Sequence, residues 1–287
     1  MTPVLERPAP PRKSPTGHQP RPVGSRAWRW LRSHLIVFYA VAVLLYLFLP
    51  VFVVVAFSFN DPRSRFNFTW QGFTLDAWLD PCGVAGLCDS VALSLQIGLL
   101  ATLVSTALGS LIAFALVRHR FRGRTSTSLL VFLPMATPEV VLGASLLALF
   151  VNAGVQTGFA TVLIAHILFN VSFVVVTVKA RLAGLDSRLE EAAMDLYANE
   201  WQTFRRITFP LAAPGIFAGA LLAFALSFDD FIITNFTSGG TVTFPMYVWG
   251  AAQRGVPPEV NVIGTAMFLV ALTAVGGAEL IRRRQRS

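Results

Sequence analysis

The chain has 287 residues, of which 54% are hydrophobic and only 13% charged, and its formal net charge is +8. A soluble domain carries roughly a quarter charged residues, so the balance excludes an ordinary soluble enzyme and points to a membrane protein. The positive charge does not call for nucleic acid, because the basic residues flank apolar blocks rather than line one face.

Residues 1–34 are rich in Pro and Arg and poor in apolar side chains, and read as a disordered basic tail. Leu35–Phe57 follows, 23 residues without a charge. A bilayer span needs roughly 20 mostly apolar residues. The block is too long for the apolar core of a signal peptide, and no small-residue cleavage site follows it, so it reads as an uncleaved anchor. Five more blocks of span length follow, at about Val91–Val117, Leu129–Val151, Thr161–Val178, Gly215–Phe236 and Val260–Ile281. The third contains Pro134, Pro138 and Glu139, and the fifth contains Asp229 and Asp230. No internal repeat is visible.

Charge orients these six blocks. Twenty of the 23 Lys and Arg residues fall in the N-terminal segment, the second and fourth connections and the C-terminal tail. Only Arg63, Arg65 and Arg254 fall in the alternate loops. Basic residues beside spans prefer the cytoplasm, which puts both termini there. The loop Ser58–Asp89 is then outside. It holds the chain's two cysteines, Cys82 and Cys88, which read either as a small disulfide hairpin in an oxidising exterior or as two unpaired thiols. No His lies near them, so no metal site is expected.

The fourth connection, about 186–214, is the polar exception. Ser187-Arg-Leu-Glu190 and Asn199-Glu-Trp-Gln202 both fit the capping box that starts a helix. The first helix is expected over about Arg188–Tyr197 and the second to about Thr208, with Pro210 stopping it. Leu189, Ala192, Ala193 and Leu196 form one apolar stripe, and Trp201, Phe204 and Ile207-Thr208 another. Helices this short need a surface to pack on. The pair reads as a helical elbow that either docks a soluble protein or merely connects two spans.

Ionisable groups within spans are costly and mark function by default. Glu139, Asp229 and Asp230 are all acidic, with no Lys or Arg in any span to neutralise them. They are expected to face water or a passing cation, which favours a cationic solute. The alternatives are an interfacial cap for Asp229-Asp230, and for Glu139 a carboxylate satisfied by backbone groups freed at a helix break. There is no phosphate loop of the form G-x-x-x-x-G-K-[ST], no H-E-x-x-H and no G-x-S-x-G. Catalysis and a bound cofactor are not expected.

Glu191-Ala192-Ala193, Ala198, Phe204, Ile207, Pro210 and Gly215 resemble the EAA loop of permease subunits in binding-protein-dependent ABC importers. The family has glycine where Tyr197 stands, and Asn199 is expected to supply the bend instead. "PMATPEV", from Pro134 to Val140, and "SFDDFIITNFTSGGTVTFPMYVWGAAQRGVPPEVN", from Ser227 to Asn261, resemble the spermidine/putrescine importer permeases. The resemblance spans most of 35–281.

It implies an all-α polytopic membrane protein, with six transmembrane helices and a cytoplasmic coupling-helix loop, the type I ABC importer permease fold. It divides the chain into a tail at 1–34, a permease domain at 35–281 and a basic tail at 282–287. It implies a bacterial cell membrane location and no enzymatic activity in this chain. The implied partners are a cytoplasmic ATPase dimer, a second permease subunit and an extracytoplasmic solute-binding protein. Glu190, Glu191, Ala192, Ala193, Asp195, Tyr197, Ala198, Phe204 and Pro210 are then the candidate coupling residues. The substrate pathway would hold Glu139, Asp229, Asp230, Phe231, Tyr247 and Trp249, since a polyamine asks for carboxylates at its ends and aromatics along its stem. Ferric iron or a betaine as cargo, or a non-transport membrane scaffold, are the alternatives.

Overall fold

The computed structural model describes residues 24–64, 66–186 and 188–284. The expected tail over 1–23, Ser187 of the first capping box, and residues 285–287 lie outside them. The helices are α1 (Gly24–Phe57), α2 (Asp76–Leu79), α3 (Leu87–Arg118), α4 (Arg124–Ala136), α5 (Glu139–Asn152), α6 (Phe159–Ala183), α7 (Arg188–Asp195), α8 (Glu200–Thr203), α9 (Phe209–Asp229), α10 (Ile232–Thr237), α11 (Phe244–Arg254) and α12 (Pro258–Arg284). A π-helical turn, Phe204–Thr208, joins α8 to α9. The only β feature among the described residues is an isolated bridge between Asn60 and Phe73.

The chain divides into two units, Met1–Val53 and Val54–Ser287. The first holds most of α1, which begins at Gly24, inside the stretch expected as tail. The second holds everything that positions the site.

Four helical stretches among the described residues are long and apolar enough to cross a membrane: His34–Phe57, Leu87–Arg118, Phe159–Ala183 and Glu200–Asp229. The expected third span is not one helix. It is α4 and α5, bent by 106° at a break between Ala136 and Glu139. Pro138 causes the break: it excludes the helical conformation at Thr137, which is extended at φ −85°, ψ 132°. The expected fifth span also differs. Its helix starts earlier and stops at Asp229, and the remainder of the expected span falls in the separate helix α10. The expected sixth span lies within α12, whose described apolar part is Pro258–Thr273.

The second unit is built on α3, α6 and α9. Their buried side chains Ala113, Leu116, Val174, Val175, Val178, Leu182, Ala212 and Ala223 form one core cluster. Lipid is as apolar as leucine, so helices associate in it through close packing, and small residues allow that. Buried Ser90, Ser94, Gly98, Ala101, Ser105, Gly109 and Ala113 run down one face of α3 at three- and four-residue steps. A Cβ on Gly109 would lie 2.7 Å from Val174 of α6. On α9, Ala212, Gly215, Gly219 and Ala223 are buried likewise, with Gly219 against Val174 and Val178. The small-residue face of the fifth block is therefore intramolecular helix packing.

A second cluster, Leu146, Phe150, Ala165, Phe169 and Ile233, joins α5, α6 and α10. It brings the two broken segments of the chain side by side.

The segment between α1 and α3 is held by polar side chains. Asn60 Nδ2 donates to Asn67 Oδ1 at 2.6 Å and to the Thr69 carbonyl at 2.9 Å. Phe59 stacks on both Phe73 and Trp78. Cys82 and Cys88 form a disulfide.

Candidate functional site

Two helix breaks face each other. At the first, Glu139 is the opening residue of α5 and its side chain is exposed. At the second, α9 ends at Asp229, also exposed, and the chain turns through Asp230 at φ −65°, ψ 118° before α10. Gly143 of α5 lets α10 approach: a Cβ there would fall 2.7 Å from Phe236 and 3.4 Å from Ile233 Cα. This contact sets the N-terminal part of α5, which Glu139 opens, against α10, which follows Asp229 and Asp230. Tertiary structure thus brings Glu139 toward a pair of carboxylates that lie about 90 residues further along the sequence.

The three are not equivalent. Asp230, expected to face water or a passing cation or else to serve as an interfacial cap, has a side chain only 6% exposed and fully engaged. It caps α10, accepting from the Thr234 amide at 2.8 Å and the Ile233 amide at 3.4 Å, and from Thr234 Oγ1 at 2.8 Å. His166 of α6 adds its Nε2 at 3.3 Å from Asp230 Oδ2. The absence of Lys and Arg from the spans therefore did not leave Asp230 without a partner, because a histidine supplies one. In the sequence His166 stands out only as an ionisable group in an apolar span, which is itself a signal. Ser227 and Thr234, its other partners, carry no such signal.

The aromatic residues separate into two places. Phe231 and Trp249 meet with ring centroids 5.2 Å apart, next to the second break. Tyr247 lies elsewhere, its hydroxyl 3.5 Å from the Ala85 carbonyl in the disulfide loop. Burial raises its phenol above the ordinary value, and Glu259 adds to this. Among the described residues, no three His, Cys, Asp or Glu side chains converge as a metal site would require.

The elbow differs from expectation in three respects. Its bend is at Tyr197 itself, which adopts the left-handed conformation at φ +64°. Asn199 does not bend; at φ −74°, ψ 167° it caps α8, its side chain accepting from the Gln202 amide while Gln202 bonds back. Pro210 does not stop the second helix, because the π turn carries the chain straight into α9. In the turn the Phe209 amide bonds to Phe204, five residues back. The wider ring gives the proline room and needs no donor from it.

Within the elbow Ala193 and Thr203 are buried, and Phe204 packs edge-on against Phe114 of α3. Glu190 is turned inward: it pairs with Arg118 at the end of α3 at 2.5 Å and accepts from Thr208 Oγ1 at 2.5 Å. Leu189 and Leu196 of the expected first stripe are exposed instead of buried. With Glu191, Ala192, Asp195, Tyr197 and Trp201 they leave an apolar and acidic rim facing outward, and Tyr197 is 98% exposed. Ala198 is half-buried and Pro210 exposed.

Residues 105–284 match the family described as "Binding-protein-dependent transport system inner membrane component". The chain is 39% identical over 243 residues to the spermidine/putrescine transport system permease protein PotC of Escherichia coli (strain K12), covering 84% of this chain and 91% of that one. It is 37% identical over 239 residues to the putrescine transport system permease protein PotI of the same organism, covering 80% and 84%. A crystal structure of a bacterial alginate ABC transporter, in complex with an alginate pentasaccharide-bound periplasmic protein, contains a chain of the same fold. The TM-score is 0.65 at 16% identity, covering 92% of this chain and 98% of that one. The protein belongs to the family of binding-protein-dependent transport system inner membrane components, as a multi-pass, non-catalytic translocation subunit with the ABC importer permease fold.

Proposed function

We propose that the chain forms the membrane pathway for a polyamine of the spermidine or putrescine class. The observation that carries this is the packing of α5 against α10, which brings the helix break at Glu139 beside the break at Asp229 and Asp230. Glu139 and Asp229 are exposed there and serve the ammonium groups; Phe231 and Trp249 lie alongside for the methylene stem. Broken helices at membrane depth suit a polar path, since irregular backbone is tolerated only where it is buried in protein or lines a cavity. The names of the relatives, spermidine/putrescine and putrescine permeases, support the same cargo. Membership of the family sets aside the non-transport scaffold.

The elbow is the coupling element, docking a cytoplasmic ATPase dimer through the rim of Glu191, Asp195, Leu196, Tyr197 and Trp201. A second permease subunit completes the pathway, and an extracytoplasmic solute-binding protein delivers the cargo to the face that carries the disulfide loop. Both termini are cytoplasmic, by the distribution of basic residues. The permease domain is taken as residues 35–281, bounded in sequence by basic tails at 1–34 and 282–287.

The test is uptake of labelled putrescine and spermidine by vesicles holding the complete reconstituted complex. Glu139→Gln and Asp229→Asn are expected to cut uptake while the complex still assembles. Full uptake by both variants overturns the carboxylate path. Ferric iron or a betaine outcompeting the polyamine would overturn the cargo.

A further inference from the structure

We propose that His166 is a positioning residue for the pathway: it locks the break between α9 and α10 and so sets where Asp229 projects, while Asp230 serves the lock and not the cargo. This rests on the reading that Asp229 meets the cargo.

The lock is a directed chain of hydrogen bonds. Thr234 Oγ1 donates its one proton to Asp230 Oδ2 at 2.8 Å. The contact from His166 Nε2 to Thr234 Oγ1 at 2.9 Å then needs the proton on Nε2. The same N–H leans toward Asp230 Oδ2 at 3.3 Å. On the other side of the ring, Ser227 Oγ stands 2.6 Å from Nδ1, to which it donates when the imidazole is neutral. His166, Ser227 and Thr234 are each buried, at 2%, 5% and 0% exposure. The links are therefore shielded from bulk water.

The placement matters more than the bonds taken singly. Ser227 is on the last turn of α9, before the break, and Thr234 is on α10, after it. One imidazole on α6 grips both sides. A helix interrupted in an apolar setting leaves backbone groups without partners, and its two halves are free to swing unless side chains fix them. Asp230 satisfies the first amides of α10, and His166 holds Asp230, Ser227 and Thr234 in register. Thr161 Oγ1, also on α6, donates to the Thr237 carbonyl at 2.7 Å and anchors the far end of α10. Asp229 lies between Ser227 and Asp230, both held by the lock, so its backbone direction is fixed while the lock is closed.

The experiment reads geometry and transport separately. Both native cysteines are bridged, so Asp229→Cys puts the chain's one free thiol at the break. In the assembled complex, its modification rate by a membrane-impermeant thiosulfonate is followed by mass spectrometry, alone and combined with His166→Leu, His166→Gln or Thr234→Val. His166→Leu and Thr234→Val are each expected to change the rate roughly tenfold, the equilibrium factor of one lost charge-assisted hydrogen bond. Together they are expected to do no more than either alone, because they cut the same chain. His166→Gln, which keeps an N–H near the position of Nε2, restores most of the original rate. In the Asp229 background, His166→Leu is expected to raise KM for putrescine uptake more than it lowers the maximal rate.

Unchanged modification in both His166→Leu and Thr234→Val overturns the lock. Equal loss with His166→Gln and His166→Leu also overturns it, since space filling alone would then explain the residue. If modification responds as expected but Asp229→Asn transports normally, the lock stands and the cargo reading fails.

Discussion

Glu190 offers a sharp test of how the elbow is fixed to the spans. Its carboxylate bonds Arg118 at the end of α3 and Thr208 at the end of the π turn that leads into α9. The pair is made through Arg118 Nη2, and Arg118 Nε is buried with no hydrogen-bond partner among the described residues. The Arg118 and Glu190 side chains are 24% and 20% exposed, so the pair lies between two limits. Fully exposed pairs contribute at most about 1 kcal/mol. Breaking a fully buried pair costs about 3–5 kcal/mol. Glu190→Gln, which keeps the shape and removes the charge, should therefore loosen the elbow by about 2 kcal/mol. Hydrogen exchange of the α7 amides in the assembled complex reads this directly as local opening. At about 1.4 kcal/mol per decade, the expected acceleration is roughly 30-fold. Arg118→Met should give a similar acceleration, and the double variant no more than either single one. The exchanged pair, Arg118→Glu with Glu190→Arg, should recover part of the protection. Acceleration below about threefold in both single variants, or simple additivity in the double, would refute the idea that this ion pair holds the elbow.

Tyr197→Gly removes a side chain from the left-handed region, where a non-glycine residue costs about 1–2 kcal/mol. The elbow should become more stable by about 1 kcal/mol in the same exchange measurement, yet co-purification of the ATPase should weaken, because a fully exposed aromatic is lost. Gly109→Ala should destabilise the α3–α6 contact by about 1–3 kcal/mol, seen as a lowered Tm of the purified complex, since its new methyl meets Val174. Asn199→Ala should cost about 1 kcal/mol by removing the α8 cap, and Asn199→Asp should not. Cys82→Ser with Cys88→Ser should cost about 2 kcal/mol for so short a loop, detected as faster proteolysis of the segment between α1 and α3, and reductant should reproduce it in the native chain.

Much was legible in the sequence for plain physical reasons. Spans are long apolar blocks, and a bilayer sets their length, so α1, α3 and α6 lie close to where hydropathy puts them. The Asn199–Gln202 capping box is local, and it forms as read. Pro138 announced a disturbance in the third block, and Glu139 and Asp229 stood out as acids in apolar surroundings.

What the sequence could not decide depends on contacts distant along the chain. Hydropathy averages over a window, so it merged α4 with α5 and ran α9 into α10; the break at Asp230 exists because Thr234 and His166 hold it. Local rules made Pro210 a stop, but a π turn packed on Phe114 through Phe204 carries the helix past it. The family pattern asks for glycine at the bend, and here Tyr197 takes the left-handed conformation between the buried Ala193 and the capped helix α8. Above all, charge counting treated Asp230 as unpaired. Its partner is 64 residues away on another helix, and only the packing of α6 against α10 brings the imidazole to the carboxylate.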